Sequence, residues 1–366
     1  MKKLLFVVFV LSFPNYLLSQ NNTITSTDSI ESNSHFSAVL DTISDYDVFA
    51  DDIPLDITLT YDISSFIRNK NKGEYIDAVM EIHYNKNQVQ TKNIRIKARG
   101  NFRRGHCLFP PIHLNFTTDP IENKVLKGTK KLKLVTHCST TKEYKKYILK
   151  EYLAYKLYNV LSEKSFRVKL LNITYIDTGK KKKHYKQYGF LIEPIDLVAK
   201  RNKSIEVEST IIRKENVVEE DADRVALFQY MIANTDWRIK GGHNTKYLKS
   251  LTEVTDKVVA VPYDFDFSGF VGTRYSHPQE WSSIDDVTER EYLGYCRDND
   301  QKYLDNIKRF VDKEEEIIKT INDFSYLDER ERKYLNKYIA TFFRRLNRPE
   351  SFLITLKNEC RSRIDF

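Results

Sequence analysis

Asn234-Thr235-Asp236-Trp237, His243-Asn244 and Tyr263-Asp264-Phe265-Asp266 set acids and an amide at short intervals behind apolar runs. An Asp on a loop after an apolar helix can accept or orient the proton of a hydroxyl. An Asn a few residues on, and an Asp ending a buried strand, can offer oxygen ligands to a magnesium ion lodged between phosphates. Any one of these acids alone reads better as a helix cap or a turn residue, a common use of Asp. All three in this order, behind a basic and strand-rich stretch, favour the acidic layout of phosphoryl transfer.

Upstream lie parts that match. Ala98-Arg99-Gly100-Asn101-Phe102-Arg103-Arg104 follows a strand-like run and opens a loop with one glycine and several cationic donors, which suits phosphate oxygens. Lys131 and Lys133 share one face of the strand pattern over residues 130–135, so either can reach a cleft, with Lys133 ahead of Lys131. Glu151 falls between Tyr147 and Tyr155 on a helical stripe. A carboxylate there faces inward and wants a partner, and an ion pair with one of the two lysines is the expectation.

The elements that must hold these residues are legible as periodicities. Ile57/Leu59/Tyr61, Ala78/Met80/Ile82/Tyr84, Ile94/Ile96/Ala98, Ile112/Leu114/Phe116 and Leu132/Leu134 alternate with polar residues and predict strands. Residues 144–161 put Tyr144, Tyr147, Ile148, Tyr152, Tyr155 and Tyr158 on one helical face. Residues 167–175 and 188–192 predict two more strands, with residues 180–183 at a lysine-rich hairpin tip. Residues 221–232 predict a helix, 258–261 a short buried strand, and 285–366 several helices of alternating charge. The fold class expected is α+β, with a strand-rich first lobe (51–193) holding one embedded helix. A helical second lobe follows, its part at 194–284 carrying the acids and 285–366 a helical C-terminal region.

Composition bounds the rest. Hydrophobic residues at 41% and aromatics at 13% exclude a wholly disordered chain, and 11 Gly and 9 Pro among 366 residues exclude collagen and long Gly/Pro linkers. The net charge of +8 is unevenly spread, for residues 124–186 hold 18 Lys and Arg against 4 Asp and Glu. Such a field either faces solvent or draws an anionic partner such as a nucleoside triphosphate. Nucleic acid is not expected, because the aromatics follow core periodicity and form no stacking platform.

Lys2 and Lys3 precede an apolar run over residues 4–13, which reads as a cleavable secretory signal (1–20), followed by a polar tether (21–50). No later stretch is apolar enough to span a bilayer, so no integral membrane segment is expected after cleavage. The expected location is outside the cytoplasm: periplasmic, cell-surface or secreted. In an oxidising compartment, Cys107 and Cys138 are expected to form a disulfide joining two strands of the first lobe. Cys296 and Cys360 read as buried or unpaired residues of the helical tail.

Taken in order, Arg99-Gly100-Asn101, the lysine-bearing strand, Glu151, Phe190-Leu191-Ile192-Glu193, Asn234-Thr235-Asp236-Trp237, His243-Asn244 and Tyr263-Asp264-Phe265-Asp266 resemble the spore coat protein H (CotH)-like atypical kinases. The resemblance covers residues 92–269, about half the chain. It implies a two-lobed atypical kinase fold, ATP with Mg2+ or Mn2+, and phosphorylation of an exported or surface protein. Carried over, Asp236 becomes the catalytic base, Asn244 and Asp264 the metal ligands, and Asp266 a further metal or water ligand. Arg99, Gly100, Asn101, Lys131 or Lys133, and Glu151 would serve the nucleotide, with Phe190–Glu193 as the hinge beside adenine. Between Cys107 and Phe116, where the family has a lysine-bearing strand, this chain has no lysine. A nucleotide-binding scaffold without catalysis and a metal-dependent phosphohydrolase stand as the alternatives.

Overall fold

Period-two alternation organises the first half into strands that bury one face each. The computed structural model describes residues 46–179, 182–208 and 211–360. The expected secretory signal, nearly all of the tether and Lys180–Lys181 of the hairpin tip lie outside the described residues. Strands β1 (Leu55–Tyr61), β2 (Ile76–Asn85), β3 (Gln88–Ala98), β4 (Ile112–Asn115) and β5 (Lys131–Val135) run as an antiparallel meander. Strands β6 (Val168–Asp177) and β7 (His184–Ile192) pair antiparallel, β7 joins β5, and β6 returns to β1. That last pairing is parallel, in register from Leu55↔Leu171 to Tyr61↔Asp177, and it closes the sheet into a barrel in the order β1-β2-β3-β4-β5-β7-β6. Ile57, Leu59, Ile96, Leu114, Leu134, Leu171 and Ile173, each at most 1% exposed, fill the interior.

Between the meander strands sit two short helices. In α1 (Ile63–Asn69) the N-cap Asp62 accepts from the Ser65 amide at 2.8 Å. In α2 (Phe102–His106) the chain turns away from β3. Helix α3 (Lys142–Leu161) is buried on most sides, including Leu153, Ala154 and Leu157. Its charged residues gather towards its N-terminal half, while its tyrosines and leucines are buried on several faces. It packs on the outer face of β6 and β7, and its aromatic side chains join the core of the helical half, where Tyr155 meets Phe265 and Tyr158 meets Phe228. The embedded helix read from the tyrosine stripe is therefore the wall shared by both halves.

After α4 (Ile195–Arg201), strands β8 (Ser204–Glu206), β9 (Thr245–Ser250) and β10 (Val259–Pro262) form a small antiparallel sheet in the order β10-β9-β8. Helix α5 (Glu219–Met231) lies against it, with three acids in its first turn, where the helix dipole favours them. Helices α6 (Asp300–Val311), α7 (Glu314–Asp323), α8 (Glu329–Leu346) and α9 (Pro349–Glu359) complete the chain. Regular helix thus resumes at Asp300 rather than at 285, because residues 263–299 form an irregular run. The α+β architecture, strand-rich then helical, matches the expectation. Among the described residues no helix is long and apolar enough to cross a membrane.

Cys107 and Cys138 form the expected disulfide, with α-carbons 4.6 Å apart, but it joins the end of α2 to the run after β5 rather than two strands. The reading of Cys296 and Cys360 is corrected: they form a second disulfide, with α-carbons 5.0 Å apart, tying the end of α9 to the irregular run before α6. Their separation of 64 residues left no local signal for the pairing.

Candidate active site

The loop after α5 is folded back on itself by its own polar side chains. Ala233 turns the chain with φ 50°, and the Asn234 side chain anchors the turn by accepting from the Asp236 amide at 3.0 Å. Trp237, 2% exposed, pins the loop into the core. Gly241 (φ 77°) and Gly242 (φ 67°) then supply left-handed backbone that brings the chain round. As a result His243 and Asn244 return to Asp236. His243 Nε2 lies 2.6 Å from Asp236 Oδ1, and Asn244 Nδ2 donates to Asp236 Oδ2 at 2.9 Å and to its backbone oxygen at 2.7 Å.

Sheet register brings the next acids alongside. Pro262 of β10 is opposite Thr245 of β9, so the residues just outside this pair, Tyr263 and Asn244, also meet, and the Tyr263 amide donates to the Asn244 carbonyl at 3.0 Å. Asp264 follows in left-handed backbone (φ 66°), its amide donating to Tyr155 of α3 at 2.9 Å. Asp266 is 4% exposed and accepts from the Tyr275 hydroxyl at 2.8 Å.

Opposite these acids stands the loop after β3. The Arg99 amide donates to Pro111, Gly100 adopts φ 83°, and α2 turns Arg103 inward. Arg103 Nη1 lies 3.2 Å from Glu151 of α3, Nη2 donates to the Thr136 carbonyl at 2.5 Å, and both charged side chains are at most 7% exposed. The cysteine bridge holds this arrangement, since Cys107 ends α2 and Cys138 lies two residues past Thr136.

These two walls enclose a cavity of about 310 Å³. Arg99, Gly100, Asn101 and Arg103 line it from the barrel half, and Asp236, His243, Asn244, Asp264 and Asp266 from the helical half. Val135, Ile192 and Tyr263 add an apolar side. Burial, reinforced by Asp264, pushes the Asp266 carboxyl up to about 7, against the pull of Arg103 and the Tyr275 hydrogen bond. Burial likewise raises the Glu151 carboxyl well above its ordinary range, with Arg103 opposing.

Not every expected residue reaches the cavity. Lys131 is exposed. Lys133 is half-buried beside it, 5.4 Å over the Tyr263 ring, and burial with Arg99 and Lys246 pushes its ammonium down to about 8. Neither lysine meets Glu151, whose ion-pair partner is Arg103; the expected lysine–glutamate pair is thus corrected. Glu193 is 1% exposed and turned away, its oxygens taken by Arg167 and Arg201 at 2.9–3.4 Å. Of Phe190–Glu193, Ile192 alone lines the cavity. Sequence reasoning passed over Arg103 within a loop it had marked for its cations, and Tyr155, one helical turn beyond Glu151.

The donor set fits a hard divalent cation: the Asn244 amide oxygen, left free by the Nδ2 contacts, and the carboxylates of Asp264 and Asp266. Among the described residues no group of three or more His, Cys, Asp and Glu side chains is arranged to hold a metal ion, so the amide and non-protein oxygens would have to complete the shell.

No family model matches the chain, and no curated protein matches it. Among solved structures it is similar to the Helicobacter pylori proinflammatory kinase CtkA, at 10% identity over 78% of this chain and 97% of that one, with a TM-score of 0.35. A likeness this slight carries no argument, and the reading of function has to come from the cavity's own residues.

Proposed function

We propose that the chain is an exported, CotH-like atypical protein kinase that transfers the γ-phosphoryl group of ATP to a Ser or Thr hydroxyl of an exported or surface protein. One observation carries this reading: an acid pinned by an imidazole and an amide shares a 310 Å³ cavity with two more acids and an arginine-bearing loop. Asp236 serves as the base. Contacts to both of its oxygens fix its direction, leaving further lone pairs for a hydroxyl proton. Arg99, with no carboxylate partner among the described residues, and the backbone at Gly100–Asn101 receive phosphate oxygens. Val135, Ile192 and Tyr263 offer the apolar side a purine needs. Asn244, Asp264 and Asp266 would hold Mg2+ or Mn2+, which supplies charge neutralisation between phosphates when bound. Export accords with the apolar leader and with two disulfides, which persist in oxidising compartments.

A second reading, a nucleotide-binding scaffold without catalysis, is favoured by one specific observation. The glutamate of α3 pairs with Arg103, and neither Lys131 nor Lys133 lines the cavity. Incubation with labelled ATP and Mg2+ or Mn2+ separates the readings. Label on protein, lost in Asp236→Asn, supports the kinase. Free phosphate alone points to hydrolysis, and bound ATP with no label on protein points to the scaffold.

A further inference from the structure

A second cavity, of about 410 Å³, lies in the helical half where α8 passes into α9. Arg344, Arg345 and Arg348 line it, together with the hydroxyl residues Thr341 and Ser351 and the ring of Phe352. No carboxylate lines it. Several arginines elsewhere meet acids, as Arg103, Arg167, Arg201, Arg224 and Arg297 do. Among the described residues, no acid pairs with these guanidiniums. Arg345 donates to the Tyr230 hydroxyl and stacks over Phe352 at 5.9 Å, which orients it without cancelling its charge. Behind the cavity, Arg290 donates to Thr341 Oγ1 at 2.8 Å and to the carbonyls of Met231 and Tyr338, adding a fourth uncompensated cation.

Neutral partners hold Arg290 and Arg345, and Arg344 and Arg348 are exposed, so the cavity carries several like charges that an entering anion offsets. Planar guanidinium forks with adjacent hydroxyls match the several acceptor oxygens of a tetrahedral dianion better than a lone carboxylate. The volume exceeds that of a bare phosphate, and Phe352 gives an apolar floor for an attached organic group. We infer that this cavity is a binding site for a phosphate dianion, either free or as the phosphoryl group of a small phosphomonoester. The inference does not depend on the cavity at Asp236.

Calorimetric titration of the full chain with inorganic phosphate and with O-phosphoserine, chloride balancing the ionic strength, tests it. Arg344→Gln combined with Arg348→Gln changes two exposed side chains, and circular dichroism checks that the fold is kept. Arg99→Gln reports on phosphate taken up by the other cavity. The expected result is binding that survives Arg99→Gln and weakens at least about tenfold in the double variant. Tighter binding of O-phosphoserine assigns the site to phosphomonoesters, and equal binding assigns it to the free ion. Undiminished binding in the double variant, or no binding of either probe at millimolar concentration, overturns the inference.

Discussion

Arg103 and Glu151 meet at 3.2 Å across the seam between α2 and α3, with at most 7% of either side chain exposed. A buried charge left without its partner is costlier than the pair was favourable. Glu151→Ala, which leaves the buried guanidinium with neither countercharge nor acceptor there, should therefore destabilise the fold by about 3–5 kcal/mol in urea titration, whereas Arg103→Met with Glu151→Leu should recover much of that loss. A loss under about 1 kcal/mol for the single change would show that solvent reaches the pair.

His137 provides a test by pH. Its ring is fully buried, stacked on Phe109 at 4.5 Å, and neither ring nitrogen has a hydrogen-bond partner among the described residues. Burial, helped by Arg103, lowers its pKa from 6.5 to about 3. The folded chain thus keeps this imidazole neutral while the unfolded chain takes up a proton below 6.5, so stability falls as pH drops from there towards 3. His137→Phe should be worth about 2 kcal/mol more at pH 5 than at pH 8. Melting curves of both proteins at the two pH values measure the difference, and parallel pH profiles would contradict it.

Asp236 and Asp264 should separate under substitution if the kinase reading is right. Asp236→Asn should lower phosphoryl transfer by about 10²–10⁴-fold with ATP affinity nearly kept, since a base touches the acceptor. Asp264→Ala should weaken ATP binding only when the divalent cation is present. Equal effects of both variants on ATP affinity would take the base role from Asp236.

Peptide mapping without reduction should recover two linked pairs, Cys107 with Cys138 and Cys296 with Cys360. Replacing Cys107 and Cys138 together should cost about 2–4 kcal/mol and loosen the loop bearing Arg99 and Arg103. Recovery of any of the four as a free thiol from oxidised protein would argue against its bridge.

Local pattern announced the barrel strands, β10 and α3, though not β8 or β9, because side-chain alternation at Ile57/Leu59/Tyr61 or the stripe through Tyr155 is imposed by the element itself. It also marked Asp236, Asn244 and Asp264, which lie on one loop and its neighbouring strand. Partnerships across the fold were less legible. Glu151 could be seen to face inward, yet its partner arrives from 48 residues upstream on a five-residue helix. Glu193 likewise gave no hint that Arg167 and Arg201 would draw it from the cavity. The pairing of β1 with β6 has no sequence signature, since neither strand records which edge it will meet.

That pairing also fixes an order of events during synthesis. Leu55 finds its parallel partner only at Leu171, so the edge of β1 stays unsatisfied until more than a hundred further residues have emerged. The meander from β1 to β5 can assemble locally beforehand. Closure then requires a long loop to form before its contacts can stabilise it, a slow step for strands so far apart in sequence. Until β6 and β7 arrive the nascent meander presents two open strand edges, β1 and β5, which a chaperone or a second copy could occupy. Afterwards the ring leaves no edge on which another strand could grow.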